Sequence, residues 1–387
     1  MPIPEYFQFQ CKTKVIFGVG TISEIPDEIK ALDSKRALIV TDKVVRKLDY
    51  FEEIVNILKS SEIKLVGIFD EVPVNSNIET CNKGYKIAQE KESDILVAVG
   101  GGSVIDTAKG MNILLTESGD LLEDHQGVYL LKRPLKNLIA IPTTAGTGSE
   151  VTFAAVIKDS IQKLKISFIS PYLAPNTAIL DPNVTISCSP ELTASTGMDA
   201  LSHAIESIHS LQNEPVSDAL ALHAIKLIGD NLRKVVNNGK NIKARANMLI
   251  AANMAGLAFT NALVRIVHAM AHALGGYCDV PHGIANSILL PYGMEYNLEY
   301  CKRYAFVAEA FGIDIRGLSD KEAGEKAIDA VWQLTKDCDM PQKLREVGVN
   351  IKDLSKVAED SICDGSIYNN PREATIEDIE KILKKAF

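Results

Sequence analysis

Short apolar runs alternate with amphipathic, helix-like stretches through the first half of the chain. The runs are ALIVT at 37–41, KLVGIF at 64–69, ILVAVG at 95–100 and NLIAIP at 137–142. This alternation is typical of βαβ units, which build a parallel sheet with helices on its faces. AILDP at 178–182 predicts a last strand that Pro182 stops. We therefore predict an α/β domain with a parallel, doubly wound sheet over residues 1–183.

The pattern changes after this segment. From residue 184 onward the β-branched runs give way to long segments rich in Ala, Leu and Ile, such as SDALALHAIKLIGDNL and KARANMLIAANMAGLAF. Such segments predict helices. A chain of 387 residues also exceeds what one hydrophobic core usually supports. We predict a second, all-helical domain over residues 184–387.

Charge and composition narrow the class of protein. The net charge of −9 and the absence of any Lys/Arg block argue against a nucleic-acid partner. The start MPIPEYFQFQ has no basic or apolar leader pattern, and no run of about eighteen apolar residues occurs, so we expect no membrane partner and a cytoplasmic location. Seven cysteines without a CxxC pair indicate reduced thiols.

Two pairs of polar residues in the second half have the spacing of one helix face. Asp199 and His203 are four residues apart, as are His268 and His272. His282 follows in a segment that Pro281 and Gly283 predict to be a loop. One such pair alone is more often a solvated face or a satisfied core histidine. The other histidines, at 125, 209 and 223, have no comparable neighbours and are interpreted as ordinary surface or interface residues.

Together these residues have the make-up of a divalent metal site, with four predicted ligands: Asp199, His203, His268 and His282. Three imidazoles and one carboxylate suit zinc or ferrous iron, whereas magnesium and calcium prefer oxygen ligands throughout. Because the imidazoles are neutral, the one carboxylate leaves the ion with about one positive charge, so the ion can act as a Lewis acid toward a substrate oxygen. The ligand set therefore predicts a catalytic metal.

A glycine-rich segment follows the third apolar run. Gly100, Gly101 and Gly102 allow a sharp turn and a close backbone approach to an anion at the start of the next helix. Ser103 and Asp106 have the spacing of a capping box, which would fix where that helix begins. Glycine clusters after strands are often only tight turns, so the segment alone is a moderate indication of a diphosphate site.

Asp42 lies just past the strand ALIVT. A carboxylate there could accept hydrogen bonds from an adenosine ribose and repel a 2′-phosphate, which would favour NAD over NADP. The alternative interpretation is a helix N-cap, and the spacing does not choose between the two. A second polar segment, IPTTAGTGSE at 141–150, offers hydroxyl donors, although its composition alone predicts only a turn.

With these motifs in this order, the chain resembles the iron-containing alcohol dehydrogenase family. The resemblance runs through TD at 41–42, GGGSVIDTAKG at 100–110, IPTTAGTGSE at 141–150, GMDALSHAIE at 197–206, HAMAHALGG at 268–276 and VPHG at 280–283. It implies a fold plan shared with dehydroquinate synthase and NAD(P)-dependent oxidation of an alcohol. We also expect a homo-oligomer, a dimer or higher. The resemblance makes the four predicted ligands bind Fe2+ or Zn2+ and His272 a neighbouring or proton-handling residue. The implied cofactor contacts are Asp42, Gly100, Gly101, Gly102, Ser103, Thr143, Thr144, Thr147 and Lys165.

One position departs from the family pattern. Arg265 stands where glycine is usual before the VHAMAH segment. It could crowd the metal or reach an anionic substrate, but a buried arginine needs a paired anion, so we interpret it first as a solvent or interface residue.

These observations predict a metal-dependent alcohol dehydrogenase that transfers hydride between a small primary alcohol or aldehyde and NAD(H). His272 is the predicted proton carrier, because the unperturbed pKa of histidine lies near neutral pH. Three alternatives stay open at this point: a metal- and NAD-dependent lyase or cyclase similar to dehydroquinate synthase, a polyol oxidoreductase similar to glycerol dehydrogenase, and a non-catalytic nucleotide-binding protein.

Overall fold

The structure is a computed structural model that describes residues 4–387. Its contacts divide the chain into two compact units. The α/β unit comprises Cys11–Thr144 and Gly148–Cys188, and the helical unit comprises Ala145–Thr147, Ser189–Phe387 and the described part of Met1–Gln10.

The α/β unit is built on a six-stranded sheet in which every strand pair is parallel. A smaller three-stranded sheet lies in the same unit. The strands are β1 (Lys14–Phe17), β2 (Arg36–Val40), β3 (Lys64–Phe69), β4 (Ile95–Gly100), β5 (Gly127–Val128), β6 (Asn137–Pro142), β7 (Ala154–Asp159), β8 (Leu164–Ile169) and β9 (Thr177–Leu180). The large sheet has the order β1-β9-β6-β4-β2-β3, and the small one has the order β5-β8-β7.

Helices cover both faces of the large sheet. They are α1 (Ile25–Ala31), α2 (Asp49–Lys59), α3 (Ile78–Glu90) and α4 (Gly102–Glu117), whereas α5 (Leu121–His125) contributes to a separate core with the small sheet. Alternate residues of β2 show the two faces, because Ala37 and Ile39 belong to one core with α1 and α2. Leu38 and Val40 belong to a second core with α3 and α4. The predicted doubly wound α/β class is therefore confirmed.

The predicted strands at 64–69, 95–100 and 137–142 coincide with β3, β4 and β6. The apolar runs gave no indication of β1 or of the antiparallel pair β7 and β8. Both elements are less apolar than the strands at the centre of the sheet: β1 is mostly exposed, and in β7 only every second residue is buried. Strands of this kind lack the continuous apolar run that marks a strand buried on both faces.

From Pro190 onward, every described element of secondary structure is a helix. The helices are α6 (Pro190–His209), α7 (Pro215–Asn237), α8 (Ile242–Ala262), α9 (Ile266–Tyr277), α10 (His282–Asn297), α11 (Tyr304–Ala310), α12 (Asp320–Asp337), α13 (Leu354–Cys363) and α14 (Ile376–Ala386). They share one large apolar core. Within the described residues no single helix is long and apolar enough to cross a membrane; only α8 and α9, bent by 103° at their junction, would pass together by length and composition.

Candidate metal centre and nucleotide-binding edge

Helix α6 carries the first two predicted ligands. It begins where the side chain of Ser189 accepts a hydrogen bond from the backbone N–H of Leu192, with Pro190 in the first turn. Asp199 and His203 lie one turn apart on this helix, and both are buried. Their spacing therefore places both side chains on one face, as the sequence predicted.

Helices α9 and α10 carry the other two. His268 lies in the first turn of α9 and is buried. His282 is the first residue of α10, and its side chain is 22% exposed. The predicted loop around His282 is wrong: Pro281 occupies the N-cap position and Gly283 continues the helix. A proline just before the first turn is compatible with a helix start, so Pro281 marks the beginning of α10.

The four side chains converge. One ligand atom from each of Asp199, His203, His268 and His282 lies within 4.8 Å of the others. The Oδ1 atom of Asp199 is 3.5 Å from Nε2 of His282 and 4.0 Å from Nε2 of His268. The rings of His203 and His268 stack with their centroids 4.5 Å apart. Burial lowers the pKa of His203 well below its ordinary value, and the neighbouring His268 lowers it further. A neutral imidazole keeps the lone pair that a metal requires, so this donor set fits a divalent ion.

Glu206 supports this cluster and was missed from the sequence. Its carboxylate accepts hydrogen bonds from the backbone N–H of Val267, at 2.8 Å, and from Nδ1 of His268. Burial would raise the pKa of Glu206, but His268 and His209 beside it outweigh burial and lower that pKa. A carboxylate behind a histidine fixes the ring and leaves Nε2 to face a metal. Glu206 follows Asp199 by two helical turns, so the spacing alone could have indicated it.

His272, the predicted proton carrier, lies beside the four ligands. Its ring stacks on that of His282, with centroids 5.3 Å apart and an interplanar angle of 14°. Its Nδ1 atom is 2.9 Å from Oδ2 of Asp364, a residue that follows α13. Burial would raise the pKa of Asp364, but His272 and hydrogen bonds from Ser366 outweigh it and lower that pKa. Asp364 is 92 residues away from His272, so sequence spacing could not reveal the pair.

Arg265 corrects our first interpretation. It is fully buried between α8 and α9 rather than exposed to solvent. Its guanidinium donates to the carbonyl oxygens of Ala262, at 2.7 Å, and Val264, at 3.0 Å. It also donates to the side chains of Ser210 and Gln212. Carbonyl oxygens at and just beyond the end of α8, which have no partner within the helix, thus accept hydrogen bonds from Arg265 together with side-chain oxygens. These acceptors allow the guanidinium to be buried.

The interpretation of His209 is also corrected. Its ring is buried, and Nδ1 lies 2.8 Å from the hydroxyl of Tyr304. His209 is therefore a hydrogen-bonded core residue, whereas His223 is exposed as predicted.

In the α/β unit, the predicted cofactor residues follow the carboxyl ends of three adjacent strands. Asp42 comes after β2, Gly101 after β4 and Thr143 after β6, and these strands are neighbours in the sheet. The backbone N–H of Thr143 donates to the carbonyl of Gly100 at 3.1 Å. A Cβ on Gly101 would lie 3.2 Å from the hydroxyl of Thr144. Ligands of open parallel sheets bind at this edge.

Helix α4 begins at Gly102, with Gly101 as its N-cap. The predicted capping box is wrong. Ser103 accepts a hydrogen bond from the backbone N–H of Asn75, and Asp106 is turned away toward Ser149 and the backbone N–H of Val156. The helix starts at Gly102, two residues earlier than the box requires, so Ser103 is already helical and cannot act as its cap.

The remaining predicted contacts are distributed over both units. Asp42 uses Oδ1 to accept hydrogen bonds from the backbone N–H groups of Val44 and Val45, each at 2.8 Å. Lys165 lies on β8 and is close enough to Asp106 to oppose the increase in the carboxyl pKa that burial causes. Thr147 belongs to the helical unit with Ala145.

The described fold and side chains define a class of protein. Its α/β unit has polar and glycine-rich segments at the carboxyl ends of parallel strands, where nucleotide-binding proteins hold their ligand, and its helical unit has a cluster of donors for a divalent metal. Comparison with known proteins gives the family. Residues 12–182 match the iron-containing alcohol dehydrogenase family, and residues 193–387 match the C-terminal part of the Fe-containing alcohol dehydrogenase family.

Individual relatives match along almost the whole chain. The 1,3-propanediol dehydrogenase of Klebsiella pneumoniae is 41% identical over 374 residues, which cover 96% of each chain. The NAD-dependent methanol dehydrogenase of Bacillus methanolicus is 38% identical and covers 96% of this chain and 97% of its own. A crystal structure of a 1,3-propanediol oxidoreductase is 40% identical and superposes with a TM-score of 0.95, covering 99% of this chain and 100% of its own.

The chain belongs to the iron-containing alcohol dehydrogenase family. It is therefore an oxidoreductase enzyme, and the predicted alcohol dehydrogenase function is supported over the lyase, polyol oxidoreductase and non-catalytic alternatives. The family is named for iron, and the methanol dehydrogenase relative is described as NAD-dependent. The predicted cofactors, iron and NAD, are therefore those of the family.

Proposed function

We propose that this enzyme binds one Fe2+ ion through Asp199, His203, His268 and His282 and interconverts a small primary alcohol and its aldehyde with NAD(H). The observation that carries the proposal is the convergence of four donor atoms within 4.8 Å. Zinc suits the same donors, and iron is preferred because of the family. The names of the relatives, a propanediol and a methanol dehydrogenase, support a short, unbranched substrate.

The cofactor site that we propose is the sheet edge of the α/β unit. Glycines 100–102 leave the backbone open to a diphosphate at the start of α4, where unpaired N–H groups favour an anion. The other proposed contacts are Asp42, Ser103, Thr143, Thr144, Thr147 and Lys165. The carboxylate of Asp42 would meet the adenosine ribose, so we propose NAD rather than NADP as the cofactor.

The bound ion would act as a Lewis acid toward the alcohol oxygen, and NAD would accept the hydride. The chain itself must hold the ligands and move a proton. Glu206 holds the ring of His268 through Nδ1. Asp364 engages Nδ1 of His272, which leaves Nε2 of that ring to accept the proton that alcohol oxidation releases.

A histidine substitution tests the metal assignment. His282→Ala should remove bound iron and alcohol-dependent NADH formation while the helical circular dichroism signal stays unchanged. The matched control is His223→Ala, because His223 is exposed on α7. Full iron content in His282→Ala would contradict the assignment.

We also propose a homo-oligomer in the cytoplasm without nucleic-acid or membrane partners. Strand β1 supports the oligomer, because it is an edge strand and Val15 and Phe17 on it are 38% and 45% exposed. Exposed apolar edges commonly pair with another chain. The net charge of −9 supports the absence of a nucleic-acid partner.

A further inference from the structure

Asn286 lies among the proposed metal ligands. It is fully buried on α10, one turn after His282. Its side-chain nitrogen Nδ2 is 2.7 Å from Oδ1 of Asp199. The same nitrogen is 3.2 Å from Nε2 of His268 and 3.2 Å from Nε2 of His282. One carboxamide thus faces three of the four proposed ligands.

The orientation of this carboxamide follows from Asp199. A carboxylate only accepts hydrogen bonds, so the group 2.7 Å from it must be the NH2 end of the amide. The opposite orientation would place two oxygen atoms against each other.

The NH2 group also faces two imidazole nitrogens. It carries two hydrogens and donates one of them to Asp199, so only one of the two Nε2 atoms that it faces, on His268 and on His282, can accept the other. A neutral imidazole with an unprotonated Nε2 has its hydrogen on Nδ1. In His268 that Nδ1 faces Glu206, which can only accept. Glu206 therefore requires the tautomer of His268 with its hydrogen on Nδ1, and the contact of Asn286 with Nε2 is compatible with that tautomer.

The other end of the amide has no corresponding role in the fold. Oδ1 of Asn286 is buried and has no hydrogen-bond partner among the described residues. A buried, unpaired carbonyl disfavours the folded state, so the residue is a poor choice for stability alone.

We propose that Asn286 is a positioning residue of the metal centre. Its NH2 group fixes the carboxylate of Asp199 through a 2.7 Å hydrogen bond and packs against Nε2 of His268 and His282, so it positions Asp199 beside the two imidazoles that would share an ion with it. This inference rests on the proposed function, in which those residues bind iron. Removing a residue that positions a metal ligand typically weakens metal binding by about 10- to 100-fold.

The test compares Asn286→Leu and Asn286→Ala with the parent enzyme. Leucine has nearly the shape of asparagine but cannot donate a hydrogen bond. The matched control is Asn297→Leu, because Asn297 is also fully buried on α10 but pairs at both ends of its amide with Asn370, at 3.0 and 2.8 Å. The dissociation constant for Fe2+ is measured anaerobically by chelator competition, and the melting temperature is measured in excess chelator.

We expect Asn286→Leu to weaken Fe2+ binding by about 10- to 100-fold with little loss of melting temperature. Asn297→Leu should show the reverse, a lower melting temperature with Fe2+ affinity within about twofold of the parent. A purely structural role for Asn286 would lower its melting temperature as much as that of the control.

Two results separate this inference from the proposed function. If both Asn286 variants bind Fe2+ within about twofold of the parent while His282→Ala does not bind it, the role of Asn286 is refuted and the ligand assignment stands. If His282→Ala also retains its iron, the ligand assignment itself fails.

Discussion

Replacing Arg265 by methionine tests whether this buried cation holds the junction of α8 and α9. Methionine preserves much of the length and apolar volume of the side chain but removes every N–H donor. The change leaves Ser210, Gln212 and the carbonyls of Ala262 and Val264 without the hydrogen bonds that they receive from the guanidinium. It also removes the positive charge near Glu206, the carboxylate that holds His268.

Burial lowers the pKa of Arg265 to about 10, so the side chain is still charged at neutral pH. Removing one partner from a buried charged network typically costs about 3–5 kcal/mol. With an unfolding entropy of about 2.1 cal/mol/K per residue, this loss would lower the melting temperature of a 387-residue chain by about 4–6 °C.

Thermal unfolding followed by circular dichroism measures this shift. Arg233→Met is the matched control, because Arg233 forms a partly exposed ion pair with Asp337, with side-chain exposures of 37% and 33%. Partly exposed pairs contribute at most about 1 kcal/mol, so the control should melt within about 1 °C of the parent. Because Arg265 points into the helix junction, the alcohol preference per bound iron should not change. An Arg265→Met protein as stable as the control would refute the argument.

Two further substitutions test the cofactor assignment and the charge of Asp364, the carboxylate that pairs with His272. Asp42→Asn keeps the oxygen that caps Val44 and Val45 but removes the charge, so we expect the NADP/NAD ratio of kcat/KM to rise by about tenfold or more at an unchanged melting temperature; an unchanged ratio would mean that the carboxylate does not meet the ribose. The pKa of Asp364 is lowered in the folded state, so the ionised carboxylate contributes stability above the unfolded pKa of about 4, and this contribution is lost as the pH falls through the folded pKa. Asp364→Asn should therefore unfold more easily than the parent at pH 7 by about 1.5–3 kcal/mol, and the difference should decrease below pH of about 4 in urea unfolding; a difference independent of pH would contradict the charge argument.

The sequence predicted those parts of the fold and site that depend on local spacing. Strands buried on both faces require continuous apolar runs, so the bounds of β3, β4 and β6 could be predicted from the sequence. A four-residue spacing places Asp199 and His203 on one helix face whatever surrounds the helix. Each of these predictions needed only the chain within one element.

Features that depend on where an element ends, or on distant packing, were not predictable in this way. Leu263 at the end of α8 has a φ of +62°, and the chain turns there before α9 begins. That turn directs Arg265 inward, which no pattern in the sequence indicates. Asp364 and Asn286 meet their partners only because separate helices pack together.

The most direct test of the account is the position of the metal. Crystals of the Fe2+-loaded enzyme, prepared anaerobically, can be measured on both sides of the iron absorption edge. We predict a single strong anomalous peak in each chain, within bonding distance of Asp199, His203, His268 and His282. An iron peak bound by other residues, or a fully active enzyme without iron or zinc at these four side chains, would contradict it.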